Sequence, residues 1–314
     1  MNPARNSGAT RARKAASRQT ALDVSQRARR VRGPWLPLAA FVVAAGLAAG
    51  AVLWVVDPVE DHPEGTSIDH VHIHVHGLDI NPADGSIYIA THNGVYELPT
   101  GAPARRVGRA EQDTMGFTVA GPDRFLASGH PGRGQSGSPH LGLIESVDGG
   151  TTWKSRSLTG QADFHTLRYR HSTAYGYDTV SGEVAVSRDL TRWETRSAIS
   201  LYDFAVSPSD PDVLLATTER GVERSTDGGR SWAATGGPAL TFLDWRDDDT
   251  LWGVARTGDV LRSLDGGGTW SRSGTISGTV TAFVATGPEL YAAVDARGVF
   301  RSGDGGVTWT QRHL

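Results

Sequence analysis

The chain has 314 residues, enough for one large or two ordinary domains, with a formal net charge of −3, 39 glycines and no cysteine. The absence of cysteine excludes a disulfide framework, a thiolate metal site and a cysteine nucleophile. The charge is unevenly spread, because residues 1–33 carry nine basic residues against one acid, Asp23, which leaves a net charge of −11 for the rest. A body this acidic argues against nucleic acid as a partner.

The first predicted element is a membrane span. Residues 35–56 form an uncharged, largely apolar run that would be about 33 Å long as a helix, enough to cross a bilayer core. A cleaved signal peptide is the alternative, since Ala-Gly-Ala at residues 49–51 fits a cleavage site, but the apolar run continues to Val56. We predict a disordered basic cytoplasmic tail (1–33), a single-pass plasma-membrane anchor (34–56), a linker (57–68) and an extracytoplasmic domain (69–314).

A Ser-x-Asp pattern closed by tryptophan recurs five times after the linker, with 38–41 residues between its aspartates. Four copies read SVDGGTTW, STDGGRSW, SLDGGGTW and SGDGGVTW, and SRDLTRW is a degenerate fifth. A period near 40 with several short strands per unit predicts an all-β fold, a six-bladed β-propeller whose blades begin near residues 76, 115, 164, 202, 242 and 279. We assign a structural role to the aspartates and tryptophans of these turns, the indoles being buried between blades. They are Asp148, Trp153, Asp189, Trp193, Asp227, Trp232, Asp265, Trp270, Asp304 and Trp309.

These turns resemble the Asp-box, or BNR, repeats of sialidase-like propellers. That superfamily includes sialidases, xyloglucan-cleaving hydrolases, sortilin-type receptors and photosystem II assembly factors. The segments HVHGL, ATHNG, DTMGF, SGHP and DFH, which start at His74, Ala90, Asp113, Ser128 and Asp163, are similar to small bacterial exported propellers labelled glycosyl hydrolases or exo-α-sialidase-like. The resemblance covers residues 69–314 and implies the fold strongly, whereas it implies the function weakly.

Histidines are concentrated where the predicted innermost strands begin and the second strands end, and both positions belong to one mouth of a propeller. Two or three convergent imidazoles, with aspartate or methionine, form a site for Zn²⁺ or Cu²⁺. Alternatively, the histidines, including His70 and His72 before the first strand, only cap the channel and hydrogen-bond to neighbours. The candidate metal ligands are His74, His76, His92, His165 and Met115.

Other residues at the predicted mouth are candidates for binding or catalysis. Arg220, Arg256 and Arg297 could clamp a carboxylate, as the resemblance to sialidases implies, and His130 and Tyr177 join them as binding residues. The carboxylates available for glycoside cleavage are Asp113, Asp163, Asp203 and Glu219. The long glycine-rich loop at 129–142 is either a lid or a plain surface loop.

The sequence therefore supports two hypotheses. The first is a membrane-anchored binding or assembly module whose histidine-rich mouth takes a small ligand, a glycan or a protein segment, with or without a metal. The second is a sialidase-like glycoside hydrolase acting on extracellular glycans. The Arg-Ile-Pro signature of sialidases does not precede the first turn, and their Tyr/Glu pair has no assignable match, which favours binding.

Overall fold

The computed structural model describes residues 74–286 and 289–312. Within these ranges the chain forms six four-stranded antiparallel sheets that follow one another in sequence, which confirms the predicted six-bladed propeller. The predicted tail, anchor and linker, with His70 and His72, lie outside the described residues. Within those residues there is no helix with the length and apolar character that a membrane crossing requires.

The first three blades occupy residues 75–198, and each begins with its innermost strand. The strands of blade one are β1 (Val75–Ile80), β2 (Ile87–Thr91), β3 (Gly94–Leu98) and β4 (Arg105–Arg106). Those of blade two are β5 (Asp113–Gly121), β6 (Arg124–His130), β7 (Leu143–Ser146) and β8 (Lys154–Ser157). Those of blade three are β9 (Phe164–Arg170), β10 (Thr173–Asp178), β11 (Glu183–Ser187) and β12 (Glu194–Ala198).

The last three blades repeat this order, and all six begin within two residues of the predicted positions. The strands of blade four are β13 (Asp203–Val206), β14 (Leu214–Thr218), β15 (Gly221–Ser225) and β16 (Ala233–Ala234). Those of blade five are β17 (Phe242–Trp245), β18 (Leu251–Val254), β19 (Asp259–Ser263) and β20 (Ser271–Thr275). Those of blade six are β21 (Val280–Thr286), β22 (Glu289–Val294), β23 (Gly298–Ser302) and β24 (Thr310–Arg312).

The hydrophobic core is divided among the six junctions between neighbouring blades. Six clusters of buried apolar side chains occur, and each contains residues of two adjacent blades. The cluster between blades one and six packs Val75 and Ile89 against Val284 and Tyr291. The ring is thus closed by side-chain packing, since blades one and six are each built from a single continuous stretch of chain.

The repeated turns are stabilised by side-chain hydrogen bonds. Ser225 donates to Asp227 (2.8 Å) and accepts the backbone N–H of Gly229 (2.8 Å), and the Ser146, Ser263 and Ser302 turns repeat these contacts. In the degenerate copy, Leu190 adopts a left-handed φ of 62° where the other copies have glycine.

The tryptophans that close these turns pack against the clusters between blades, but they are half-buried where we expected full burial. Each indole contributes one edge to the junction because the turn itself lies at the outer end of the blade. The N–H of Trp232 donates to Ser197 Oγ of the preceding blade (2.9 Å), and Trp193 bonds to Ser157 in the same way. The turn and the blade junction are therefore stabilised together.

We expect Ser225→Ala to lower the free energy of unfolding by about 1–3 kcal/mol, because it leaves the buried N–H of Gly229 without its acceptor. Urea unfolding of the variant and the parent chain measures this difference. Ser200→Ala is the matched control, since Ser200 is exposed. An equal effect of the two substitutions would contradict a structural role for the turn.

Candidate metal centre at the channel mouth

The innermost strands of four blades each carry a β-bulge near their first residues. The pairing register skips His76 in β1, Met115 in β5, His165 in β9 and Thr281 in β21. A bulge re-aims the side chain of the extra residue and breaks the alternation of an extended strand. All four bulged residues line the central channel, a cavity of 640 Å³ bounded by the innermost strands of all six blades.

The first histidine group consists of His74, His76 and His92, with Asp113 beside them. Nε2 of His76 lies 3.2 Å from Nδ1 of His92. Oδ1 of Asp113 lies 3.5 Å from Nε2 of His76 and 2.8 Å from Nδ1 of His92. One ligand atom from each of the three histidines lies within 4.8 Å of the others. His74 also contacts Asp295 through Nδ1 (3.3 Å), which leaves its Nε2 available.

Oδ1 of Asp113 is buried and has no hydrogen-bond partner among the described residues. Nδ1 of His92 lies 2.8 Å from this oxygen, but its hydrogen bond is made with Nε2 of His76, and the tautomers of the two rings decide which nitrogen donates. Ligand atoms from β1, β5 and the loop after β2 thus lie within 3.5 Å of one another. The three histidines of the first group could hold a metal ion.

The first histidine group contains an imidazole that is neutral near pH 7. Burial, reinforced by the neighbouring His92, lowers the pKa of His76 from 6.5 to about 4, although the charge of Asp113 opposes the shift. Metals bind the neutral form of imidazole, so His76 is in its ligating state over the physiological range.

The second histidine group consists of His130, His140 and Asp163, whose ligand atoms also lie within 4.8 Å of one another. Nε2 of His130 is 3.4 Å from Oδ2 of Asp163, which also accepts a hydrogen bond from Nε2 of His165 (2.9 Å). Burial by itself raises the pKa of Asp163, but the hydrogen bond from His165 and the charges of the nearby histidines hold it below its ordinary value. This carboxylate is therefore ionised.

The two groups are neighbours because β5 and β6 pair at the mouth. Asp113 of the first group lies directly opposite His130 of the second. Gly129, at φ 144°, permits this approach, since a Cβ there would collide with the backbone oxygen of Asp113.

Met115 and His165, the two remaining candidate metal ligands, line the channel beside His76. His165 contacts Asp163 and does not belong to the first histidine group. Each β-bulge aims the bulged residue of its innermost strand into the channel, so bulged residues of different blades enter the channel from different sides.

Asp203, a candidate for catalysis, is buried and bridges blades. It accepts hydrogen bonds from Arg168 (2.6 Å) and from the backbone of Leu243 (3.0 Å). Asp79 and Asp244 accept backbone N–H groups of the next blade in the same way, from Val119 and Ala285. All of these carboxylates line the channel, where they join blades.

The three predicted clamp arginines have separate partners. Arg220 pairs with Glu223 (2.8 Å), Arg256 lies over the ring of Tyr202, and Arg297 stacks on Phe300. Glu219 and Arg220 line a cavity away from the channel, beside Trp232. Tyr177 and Arg256 line a cavity of 380 Å³ that His165 also borders.

Solved structures with a similar fold include three bacterial enzymes. The GH74 enzyme of Niastella koreensis is 17% identical, with 76% of this chain and 37% of that chain covered and a TM-score of 0.53. The GH74 xyloglucanase of Xanthomonas campestris is 20% identical, covering 77% and 38%, with a TM-score of 0.50. A gluconolactonase of Xanthomonas campestris is 12% identical, covering 73% and 85%, with a TM-score of 0.59.

These likenesses show the propeller fold alone. The chain spans less than two fifths of the length of either GH74 enzyme. No protein-family model matches the chain, and no curated protein matches it either.

Sequence analysis does not single out His140, a member of the second group, or Asp295, which contacts His74 of the first. His140 ends the glycine-rich loop that begins after His130, and a loop must return beside its own start, which places it opposite His130. Asp295 follows β22 of blade six, so it reaches His74 only because the ring closes.

The free energy of unfolding should decrease as the pH falls from 6.5 to 4, with His76 contributing up to about 3 kcal/mol. The unfolded chain takes up a proton at His76 near pH 6.5, whereas the folded chain takes it up only near pH 4. Urea unfolding across this range, with a chelator present, measures the loss. His76→Gln should remove this part of the pH dependence, and an unchanged pH profile in that variant would rule out the shift.

Proposed function

We propose that this protein is a membrane-anchored, extracytoplasmic propeller that binds a divalent transition metal, Zn²⁺ or Cu²⁺, at the mouth of its channel. The ligands are His76, His92 and Asp113, with His74 as a fourth. The apolar segment 34–56 and its basic flank support the anchor and its orientation.

The observation that carries this proposal is the convergence of three donor atoms on one point. The atoms of His76, His92 and Asp113 are separated by 2.8–3.5 Å. A zinc ion about 2.0–2.2 Å from each ligand places neighbouring ligand atoms about 3–4 Å apart. The buried Asp113 oxygen without a hydrogen-bond partner then gains a cation, and Asp295 holds His74 as carboxylates commonly hold metal-binding histidines.

The site suits a binding function because it is accessible. His74 and His92 are nearly half exposed, so a bound metal keeps room for a further ligand from solvent. The cavity beside Tyr177 and Arg256 can receive the rest of a small molecule or a peptide segment. We therefore favour a binding or assembly module over a hydrolase.

The alternative, a sialidase-like glycoside hydrolase, retains Asp113 and Asp163 as its acidic residues. Its support is the resemblance of the turns to Asp-box repeats and the fold shared with GH74 enzymes. Both carboxylates face histidines at short distances, an arrangement that suits a metal centre better than glycoside chemistry.

Zinc or copper should bind the purified full-length chain in detergent, and His92→Ala should weaken binding at the first site by more than about 100-fold. Calorimetric titration of the metal-free chain and elemental analysis measure affinity and content. His171→Asn is the matched control, because it removes a histidine outside both groups, and asparagine tolerates the left-handed φ of that position.

The proposal fails if the parent chain binds neither metal, or if His92→Ala and His171→Asn have equal affinities. Glycan hydrolysis by the metal-free chain that is lost in Asp163→Asn would establish the alternative instead.

Asp295→Asn should weaken metal binding by about 10-fold while the ligand set stays intact. The carboxylate of Asp295 orients His74 and makes its ring a better electron donor. The same titration measures the change, and Asp84→Asn is the control, since Asp84 is exposed and belongs to neither group. An affinity equal to that of the control would exclude Asp295 from the site.

A further inference from the structure

We propose that His130, His140 and Asp163 form a second metal site, and that an ion bound there fastens the glycine-rich loop 131–139 against the channel mouth. This site is separate from the first histidine group, since the two share no ligand. It would make access to the mouth depend on metal.

The hydrogen bonding of His130 fixes which of its nitrogens can ligate. Nδ1 lies 2.9 Å from the backbone oxygen of Pro139, and because a carbonyl only accepts, Nδ1 carries the proton. In the neutral ring, Nε2 then has a lone pair facing Oδ2 of Asp163 at 3.4 Å. Two acceptors facing each other repel unless a cation lies between them.

Two further atoms of this group are buried without a hydrogen-bond partner among the described residues, Oδ1 of Asp163 and Nδ1 of His140. Asp163 is only 4% exposed, so an unpaired oxygen there carries a full desolvation cost. Imidazole and carboxylate are the donors that zinc prefers. The rings of His130 and His140 are 5.6 Å apart and converge on the same carboxylate.

The loop that carries His140 has few other attachments. Backbone hydrogen bonds hold its ends, from Leu141 to Gly129 and from Gly160 to His140. Residues 133–137 between them are exposed, and five of the twelve residues at 130–141 are glycine or proline. A segment with so little buried surface opens easily, so a bond from His140 to an ion shared with Asp163 would determine its position.

Trypsin provides the test, because Arg133 lies exposed in the loop. Metal-free full-length chain in detergent is digested with and without Zn²⁺, and the fragments are followed by mass spectrometry. At a zinc concentration about 100 times the Kd, cleavage after Arg133 should slow by up to about 100-fold, since only the metal-free form opens. Cleavage after Arg220, in an exposed turn of blade four, is the internal reference for effects of zinc on trypsin.

His140→Ala should abolish the protection at Arg133 and lower the zinc content by one ion per chain, and His140→Gln should do the same. His92→Ala should lose the ion of the first site yet keep the protection, which separates failure of this proposal from failure of the proposed function. His171→Asn should behave like the parent, and thermal unfolding checks that each variant is folded. Absence of zinc protection in the parent, or equal protection in the His140 variants, would overturn the proposal.

Discussion

The packing of each blade against its two neighbours is the constraint on which the rest of the structure depends. A four-stranded blade has two broad faces with buried apolar side chains, so a blade is covered only when another stands on each side. Six clusters meet this need, and the last joins blade six to blade one. The closed ring fixes the six innermost strands around a channel with one common mouth.

The blades use equivalent positions for different purposes. Carboxylates of three innermost strands bridge to the next blade, as Asp79, Asp203 and Asp244 do in blades one, four and five. In blades one to three the residues at the mouth include the histidines, and bulges turn His76 and His165 into the channel. The repeat therefore supplies a common frame, to which blades one to three add the histidines at the mouth.

The repeated turns made the fold predictable, because their spacing reports the length of a blade and their glycines mark positive φ. The site was predictable only in part. Alternation along the sequence brings His74 near His76, and strand order brings His92 and Asp113 to the same mouth. The sequence pattern does not reveal the β-bulges, because these depend on the register between strands. The separation of His165 from the first histidine group could therefore not be foreseen. His140 could have been found from loop closure, whereas the contact between Asp295 and His74 requires the closed ring.

Electrostatics gives the strongest physical reason to expect a cation at this mouth. Asp113 and Asp163 each have a buried oxygen that receives no hydrogen bond among the described residues. In the first group, Nδ1 of His92 makes its hydrogen bond with Nε2 of His76 and not with Asp113. In the second, the protonated nitrogen of His130 points away, to a carbonyl. A metal ion, as proposed above, would compensate each carboxylate. Protonating the imidazoles of the first group would instead place several positive rings within about 5 Å of one another, which costs more as solvent is excluded.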